Sequence, residues 1–150
     1  MGSIDERFRP LFYPRSVAMI GASNDVRKWG FGLFHNLLKG GFRGSLYPIN
    51  RREAEVLGVR AFPSILDVPD EVDLAVITIP PDGVANVLSE CIQKGVRAVV
   101  VNTAGYGEVN EEGARTQKEL AEIARRGGLL LIGPNSQGIM CTKSRLFPQI

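Results

Sequence analysis

The sequence predicts an α/β fold, a Rossmann-like doubly wound parallel sheet in a single domain over residues 1–150. Two observations predict it: short runs of Val, Ile and Leu recur along the chain, and amphipathic segments separate them. Strands that are buried on both faces lack the polar alternation of half-exposed strands, and helices between them connect parallel neighbours. The alternation of strand and helix therefore indicates a right-handed doubly wound domain.

Five apolar runs are the candidate strands. Each is rich in Val, Ile or Leu, and none alternates with polar residues, which is typical of strands inside a parallel sheet. They cover residues 17–20, 46–49, 74–79, 98–101 and 129–132. A small unit at residues 53–59 follows the second run.

Three segments between the strands have the pattern of helices. The first covers residues 31–38, and the third covers residues 110–126, with acidic residues toward its start and arginines at its end, as the helix dipole favours. The second is expected to end at Gly95 in the left-handed conformation. Its core-facing stripe at helical spacing consists of Val84, Val87, Leu88, Cys91 and Ile92.

Charge and hydropathy exclude several function classes. The 18 basic and 16 acidic residues leave a net charge of +2, which does not indicate a nucleic-acid partner. No apolar run approaches the roughly 20 residues of a membrane helix, and the N-terminus lacks the apolar core of a signal peptide. We therefore expect a cytoplasmic protein that does not bind membranes. Cys91 and Cys141 are expected as free thiols, and no metal site is predicted, because no cysteine or histidine pair has metal-ligand spacing.

The end of the first strand is the strongest candidate for a binding site. Residues 21–24 form a loop of glycine and small residues, and a glycine-bearing helix start follows at residues 29–32. Such a junction leaves backbone N–H groups unpaired at the positive end of a helix dipole, where an anion binds. The spacing differs from the compact dinucleotide fingerprint, and a tight turn without a ligand is the alternative interpretation.

Two arginines follow the second strand, where NAD-binding folds usually place Asp or Glu against a ribose hydroxyl. The guanidinium groups of Arg51 and Arg52 favour a phosphate instead, since each can bind it bidentately. This predicts a phosphorylated ribose, either the 2′-phosphate of NADP or the 3′-phosphate of coenzyme A. Solvated surface charges are the alternative.

The other loops at the carboxyl ends of the strands are candidates for the rest of the site. Ile79 and Pro80 offer an apolar wall, and the glycines of residues 102–108 allow a ligand to approach the backbone closely. In the turn at residues 133–138, Asn135 is suited to brace neighbouring loops. Each of these segments is also compatible with a purely structural turn.

Five segments carry a resemblance to a known family. They are residues 17–24, 40–50, 72–77, 103–108 and 133–135. In this order they resemble the CoA-binding domain of the NDP-forming acyl-CoA synthetase superfamily, which includes ADP-forming acetyl-CoA synthetases and the α-subunit of succinyl-CoA synthetase. The likeness spans about residues 11–142. The same domain occurs in bacterial protein lysine acetyltransferases.

The resemblance implies coenzyme A as the ligand and a task for each loop. The first loop would hold the pyrophosphate, the second the adenosine end, the third the adenine or the pantetheine arm, and the fourth the pantetheine amides through its backbone. The family commonly has Asn-Pro-Lys after the second strand, so Arg52 stands at the lysine position and the proline is lost. The implied cofactor-binding residues are Gly21, Ala22, Ser23, Lys28, Asn50, Arg51, Arg52, Ile79, Pro80, Asn102, Thr103 and Ala104.

For catalysis, the resemblance implies at most a supporting role for Glu108. The family passes a phosphoryl group through a histidine in a following domain, whereas His35 is predicted to lie off the core face of its helix. The resemblance therefore implies the N-terminal domain of a longer acyl-CoA synthetase, with an ATP-grasp domain or subunit as partner. The isolated chain is expected to bind CoA or acyl-CoA without turnover.

Three alternatives stay open at this point. The chain is also compatible with the CoA-binding domain of a lysine acetyltransferase, or with a stand-alone CoA-binding module. An NADP-binding oxidoreductase domain is the third alternative. It is disfavoured because the compact glycine fingerprint and a Tyr-x-x-x-Lys pair after Tyr106 are both missing from the sequence.

Overall fold

A computed structural model describes residues 5–150. The strands are β1 Ser16–Ile20, β2 Ser45–Ile49, β3 Glu55–Val56, β4 Val59–Arg60, β5 Leu74–Ile77, β6 Ala98–Val101 and β7 Leu130–Ile132. The central sheet has five parallel strands in the order β2, β1, β5, β6, β7, and a separate two-stranded hairpin is formed by β3 and β4. The helices are α1 Arg9–Phe12, α2 Trp29–Lys39, α3 Pro81–Lys94 and α4 Glu111–Arg126, with a short 3₁₀ helix at Ile65–Asp67.

The predicted fold class is confirmed, and each of the five apolar runs contains a strand of the parallel sheet. The third run is shorter than predicted, because β5 ends at Ile77. Beyond it, the carbonyl of Ile79 accepts a hydrogen bond from the Thr103 hydroxyl at 2.7 Å instead of one from a neighbouring strand. Pro80 and Pro81 have no N–H to continue the ladder.

The three predicted helices are present with small shifts of their ends. α2 begins at Trp29, two residues before the predicted start. Asn110 is the N-cap of α4, where its Oδ1 accepts from the amide of Gly113 at 2.8 Å. Gly95 ends α3 with φ of 88°, the left-handed conformation that the sequence predicted.

Each face of the sheet has its own apolar core. On one face, side chains of α3, α4 and the 3₁₀ helix pack against the sheet, and Leu88 and Leu120 are fully buried there. On the other face lie α1 and α2, where Phe34 is fully buried. The segment after residue 138 completes this second layer, since Leu146 is fully buried and the Asn36 amide donates to the Gln149 carbonyl at 2.9 Å.

Two short helices and the hairpin complete the fold. The unit predicted at residues 53–59 is the β3–β4 hairpin, and Val56 anchors it in the second core. The sequence analysis did not predict α1, which has only four residues, or the 3₁₀ helix, which begins with a capping box between Ser64 and Asp67. No helix within residues 5–150 has the length and apolar character needed to span a bilayer.

The strand order fixes where a ligand would bind. After β1 the chain passes to β2 on one side, and it later returns to β5 on the other side of β1. In open α/β sheets, ligands bind outside the carboxyl ends of the strands at such a switch point. The crevice between the loops that follow β1 and β5 is therefore the expected site.

Candidate functional site

Two glycines lie where the loops after β1 and β5 meet the start of α2. Gly21 has φ of +93°, and a Cβ at this position would lie 2.5 Å from the carbonyl oxygen of Thr78. A Cβ on Gly30 would lie 1.8 Å from the carbonyl oxygen of Gly21. Glycine at these two positions therefore allows both the β5 loop and the start of α2 to close on the loop after β1. The sequence analysis noted both glycines but did not predict that they meet.

The start of α2 is open to an anion. Its N-cap is Lys28, which is exposed and provides no side-chain hydrogen bond to the first turn. The Ser23 hydroxyl accepts from the amide of Asp25 at 3.0 Å and so stabilises the loop that leads into the helix. The Asp25 carboxylate is paired with Arg27 at 2.9 Å, and these hydrogen bonds lower its pKa to about 2. Helix amides without a side-chain acceptor, beside an exposed lysine, attract phosphate groups.

Asn50 joins the second loop to the first. Its Nδ2 donates to the carbonyl of Ala22 at 2.8 Å. Its Oδ1 accepts from the amides of Arg52 at 2.8 Å and Glu53 at 3.0 Å. The side chain that was predicted to bind the cofactor is thus a brace between two loops in this structure.

Arg51 and Arg52 lie in the turn that Asn50 holds. Both side chains are exposed, and within residues 5–150 neither guanidinium forms an ion pair. Because the turn is joined to Ala22, the two cations lie at the same edge of the sheet as the open start of α2. The structure therefore brings the predicted phosphate-binding loops together.

Asn24 makes a second link across this edge. Its Nδ2 donates to the carbonyl of Glu55 at 2.9 Å, and its Oδ1 accepts from the amide of Leu57 at 2.9 Å. The β3–β4 hairpin is thereby attached to the loop after β1. The sequence analysis did not assign Asn24 a role, because both partners lie more than 30 residues away.

The predicted apolar wall stands on the other side of Gly21. Ile79 is half-buried, and its Cγ2 would lie 3.1 Å from a Cβ on Gly21. Pro80 is exposed and is the N-cap of α3. These two residues border the crevice opposite the turn that carries Arg51 and Arg52.

The loop after β6 is connected to both neighbouring loops. The Asn102 Nδ2 donates to the carbonyl of Ser136 at 2.9 Å, and the Thr103 hydroxyl bonds to Ile79 as described. The Thr103 carbonyl in turn accepts from the backbone amide of Asn135 at 2.9 Å, and a bracing role for the Asn135 side chain stays a prediction. Ala104 is exposed. In the described part of the chain, the Asn102 Oδ1 is buried without a hydrogen-bond partner.

Glu108 is engaged with its own loop. Its Oε1 accepts from the amides of Gly105 at 2.5 Å and Tyr106 at 3.1 Å. These backbone hydrogen bonds, that of Gly105 above all, lower the pKa of the Glu108 carboxyl below its usual range. The supporting role in catalysis stays a prediction, and the visible role of the carboxylate is to shape residues 105–108.

Tyr106 and Gly113 form a second close contact between a loop and a helix. Tyr106 is fully buried, and its hydroxyl donates to the carbonyl of Pro81 at 3.4 Å. A Cβ on Gly113 would lie 2.0 Å from the Tyr106 carbonyl oxygen, so glycine lets α4 approach this loop. The sequence analysis missed this pair, for which a glycine in the first turn of a helix was the only signal.

The single histidine lies outside the crevice. His35 is exposed on α2 and stacks on Phe31 with ring centroids 5.9 Å apart and an interplanar angle of 8°. The predicted position off the core face of the helix is confirmed.

A comparison with protein families decides the assignment. The family model described as "CoA binding domain" matches residues 15–142. The chain belongs to this family. The matched range includes all the loops described above.

Known relatives extend the likeness at high sequence identity. The ADP-forming acetate–CoA ligase II subunit alpha of Pyrococcus furiosus is 52% identical over 135 residues, which are 90% of this chain and 29% of the relative. The structure of PH0766 from Pyrococcus horikoshii OT3 matches with a TM-score of 0.91 and 48% identity over 95% of this chain and 32% of that one. This chain therefore spans about a third of the length of these relatives.

A third comparison concerns a structure with bound ligands. The dinucleotide-forming acetyl-coenzyme A synthetase 1 of Ca. Korarchaeum cryptofilum, solved in complex with phosphate and ADP, has a TM-score of 0.91 and 39% identity to this chain. The match covers 95% of this chain and 30% of that one. The resemblance noted from the sequence is confirmed, and so is coenzyme A as the ligand.

Proposed function

We propose that residues 1–150 form the N-terminal CoA-binding domain of an ADP-forming acyl-CoA synthetase. The observation that carries the proposal is that the Asn50 side chain joins the open start of α2 to the turn with Arg51 and Arg52, neither of which forms an ion pair within residues 5–150. Coenzyme A carries a pyrophosphate and a separate ribose phosphate, and this edge of the sheet provides a place for each.

The cationic side chains at this edge favour coenzyme A over a dinucleotide such as NAD, whose only phosphates are those of its pyrophosphate. The pyrophosphate binds at the amides of α2 beside Gly21, Ala22 and Ser23, where the helix dipole and Lys28 are favourable to it. The 3′-phosphate binds to Arg52 and Arg51, which can each form two charge-assisted hydrogen bonds. NAD has no phosphate at the 2′ or 3′ position of its adenosine ribose and so leaves these guanidinium groups without a partner.

The remaining loops guide the other parts of the ligand. Ile79 and Pro80 border the crevice opposite the arginines and pack against the adenine or the pantetheine arm. Backbone groups of residues 102–104 bind the pantetheine amides. Because Thr103 is bonded to Ile79, the apolar wall and this loop form one continuous side of the crevice.

The activity of the whole enzyme needs further parts. The relatives are about three times longer than this chain or more, and they are named as acetate–CoA ligases. We propose that this chain serves the same acid–thiol ligation, with phosphoryl transfer through a histidine of a following domain and with an ATP-grasp partner. His35, stacked on Phe31 on the helix surface, has no part in it. The chain acts in the cytoplasm and, in isolation, binds CoA or acyl-CoA without turnover.

Calorimetry with four ligands tests the binding site. We expect coenzyme A to bind more tightly than dephospho-CoA by about 1–3 kcal/mol, the value of a hydrogen bond to a charged group, and more tightly than NADPH or NADH. Arg52→Ala should remove most of the difference between coenzyme A and dephospho-CoA. Arg126→Ala is the matched control, because Arg126 is an exposed arginine in the last turn of α4, at the end of the helix away from the loop at residues 105–108.

Two results would contradict the proposal. Equal losses of coenzyme A and dephospho-CoA in Arg52→Ala would mean that Arg52 contacts another part of the ligand. Binding of NADPH without binding of coenzyme A would favour an oxidoreductase domain instead.

A further inference from the structure

A second cavity lies at the opposite end of the sheet from the CoA crevice. It has a volume of about 230 Å³ and is bordered by the chain just before β1, by the loop before β2 and by the loop at residues 142–145. The residues that matter for its chemistry are Tyr13, Phe42, Arg43, Lys143, Ser144 and Arg145.

The charge of this cavity is entirely basic. Three of its lining side chains are cationic and none is acidic. Arg43 and Arg145 are exposed and form no ion pair within residues 5–150. Asp73, an acidic group at the same end of the sheet, is already paired with Arg15 at 3.4 Å and Arg97 at 3.5 Å.

The loop that carries two of the cations is held firmly. The backbones of Cys141 and Leu146 exchange hydrogen bonds of 2.9 and 3.0 Å, which close the loop. The Ser144 hydroxyl donates to the carbonyl of Phe12 at 2.7 Å. Arg145 has φ of 55°, a left-handed conformation that side chains other than Asn and Asp adopt at a cost.

Two glycines allow the loop before β2 to lie close to its neighbours on the other side of the cavity. The Arg145 guanidinium would lie 3.5 Å from a Cβ on Gly41, so this side chain covers the glycine. A Cβ on Gly44 would lie 2.3 Å from the carbonyl oxygen of Arg15. The glycines keep the loop close, while Phe42 and Arg43 border the cavity. This loop is part of a segment that carries the family resemblance, yet it is remote from the CoA crevice.

We propose that this cavity is a second binding site, specific for a small organic phosphate. The phosphate binds to Arg43 and Arg145, whose guanidinium groups suit it bidentately. A planar group of the ligand packs against the aromatic rings of Tyr13 and Phe42, which both line the cavity. The volume is below the roughly 300 Å³ at which pockets for drug-sized ligands begin, so a ligand no larger than a mononucleotide is expected.

An NMR titration of the 150-residue chain tests this site with adenosine monophosphate, adenosine and inorganic phosphate as probes. We expect the monophosphate to shift the amide signals of residues 41–44 and 142–146 in a saturable way. Adenosine lacks the charge and inorganic phosphate lacks the ring, so each should bind at least about tenfold more weakly. The signals of residues 21–23 report separately on the CoA crevice.

Three variants assign the effect to the cavity. Arg43→Ala and Arg145→Asn should each weaken binding of the monophosphate about tenfold or more, and asparagine keeps the left-handed backbone accessible. Arg52→Ala should leave the response of residues 41–44 unchanged, which separates this site from the proposed CoA site. Thermal unfolding checks that the variants are folded.

Clear results would overturn the proposal. No saturable shift at residues 41–44 and 142–146 would exclude the site, and so would unchanged affinity in the folded double variant of Arg43 and Arg145. Inorganic phosphate binding as tightly as the monophosphate would exclude the role of the aromatic rings and hence an organic ligand.

Discussion

The two halves of the crevice use polar side chains in different ways. In the first half, the loops after β1 and β2 are joined by the neutral side chains of Asn24 and Asn50. In the second half, the loop after β6 is shaped by a charged side chain, since the Glu108 carboxylate accepts from two amides of its own loop. The first half therefore leaves Arg51 and Arg52 without an ion pair among residues 5–150, although Arg27 is paired with Asp25 there. The second half uses its carboxylate within its own loop.

This difference shows that the loops at one edge of the sheet contribute differently to ligand binding. Neutral braces position Arg51 and Arg52 without neutralising them, so the attraction for a polyanion comes from the first half. The amides of Gly105 and Tyr106 are already occupied by Glu108 and do not attract an anion. The second half contributes shape and apolar contact. In both halves a glycine of the following helix, Gly30 or Gly113, lets that helix touch the loop.

Substituting these two glycines should have the largest effect. In Gly30→Ala the new Cβ would lie 1.8 Å from a backbone oxygen, and in Gly113→Ala 2.0 Å, so neither clash is relieved by moving a side chain. We expect each variant to lower the free energy of unfolding by about 1–3 kcal/mol or more. Gly30→Ala should also abolish measurable CoA binding, because it displaces α2 from the phosphate loop, whereas Gly113→Ala should leave binding detectable.

Gly32→Ala is the matched control in urea denaturation. Gly32 is in α2 as well, but a Cβ there meets no atom within 4 Å. The free energy of unfolding should stay the same or rise by about 0.5–1 kcal/mol, since alanine is the better helix former. Wild-type stability of Gly30→Ala would contradict the close contact, and equal CoA affinity in the Gly30 and Gly113 variants would contradict the division of tasks.

Removing the Asn50 side chain should have an intermediate effect on CoA affinity. Asn50→Ala deletes the bonds to Ala22, Arg52 and Glu53, so the turn with the two arginines loses its fixed position. At about 0.5–1.5 kcal/mol for each hydrogen bond, we expect CoA to bind about tenfold more weakly in calorimetry. Because the arginines lose their position, the difference in affinity between coenzyme A and dephospho-CoA should decrease.

Asn86→Ala is the control for this variant. Asn86 is exposed on α3, and in the described part of the chain its side chain bonds only to the Glu90 side chain four residues later. Its loss should leave CoA affinity unchanged. A full preference for coenzyme A in Asn50→Ala would show that the arginine turn holds its position without the brace.

The sequence predicted the frame of the molecule better than the state of its side chains. The β1, β2, β5, β6 and β7 strands were predictable, because runs buried on both faces have a distinctive composition. α1 was not predictable, since four residues are too few to show a period. The convergence of the loops followed from the general geometry of parallel sheets.

Which polar groups are free and which are engaged was not predictable. The bond from Asn50 to Ala22 joins residues 28 positions apart, and no local pattern announces it. Glu108 differs, because its partners are two and three residues away and a short-range turn could have suggested them. A residue type at a loop thus indicated the chemistry available, while the structure decides whether that chemistry faces a ligand or the protein.

The smallest expected effect is on the free energy of unfolding and concerns Glu108, the charged side chain that shapes residues 105–108. The pKa of Glu108 is lowered from its ordinary value of 4.5, chiefly by the Gly105 amide, so the folded state favours the carboxylate. A carboxyl with a lowered folded pKa contributes stability above the unfolded pKa, and this contribution is lost as the pH falls through the folded value. Glu108→Gln should therefore be less stable than the wild type at about pH 7, and the difference should shrink as the pH falls below 4.5 and through the lowered folded pKa. Urea denaturation across this pH range measures the difference in the free energy of unfolding. CoA affinity near neutral pH should change little, because the first half of the crevice binds the phosphates.

A stability difference that persists unchanged at the acid end would mean that the Glu108 charge does not stabilise the loop. A large loss of CoA affinity would mean that Glu108 contacts the ligand and does not only shape its own loop.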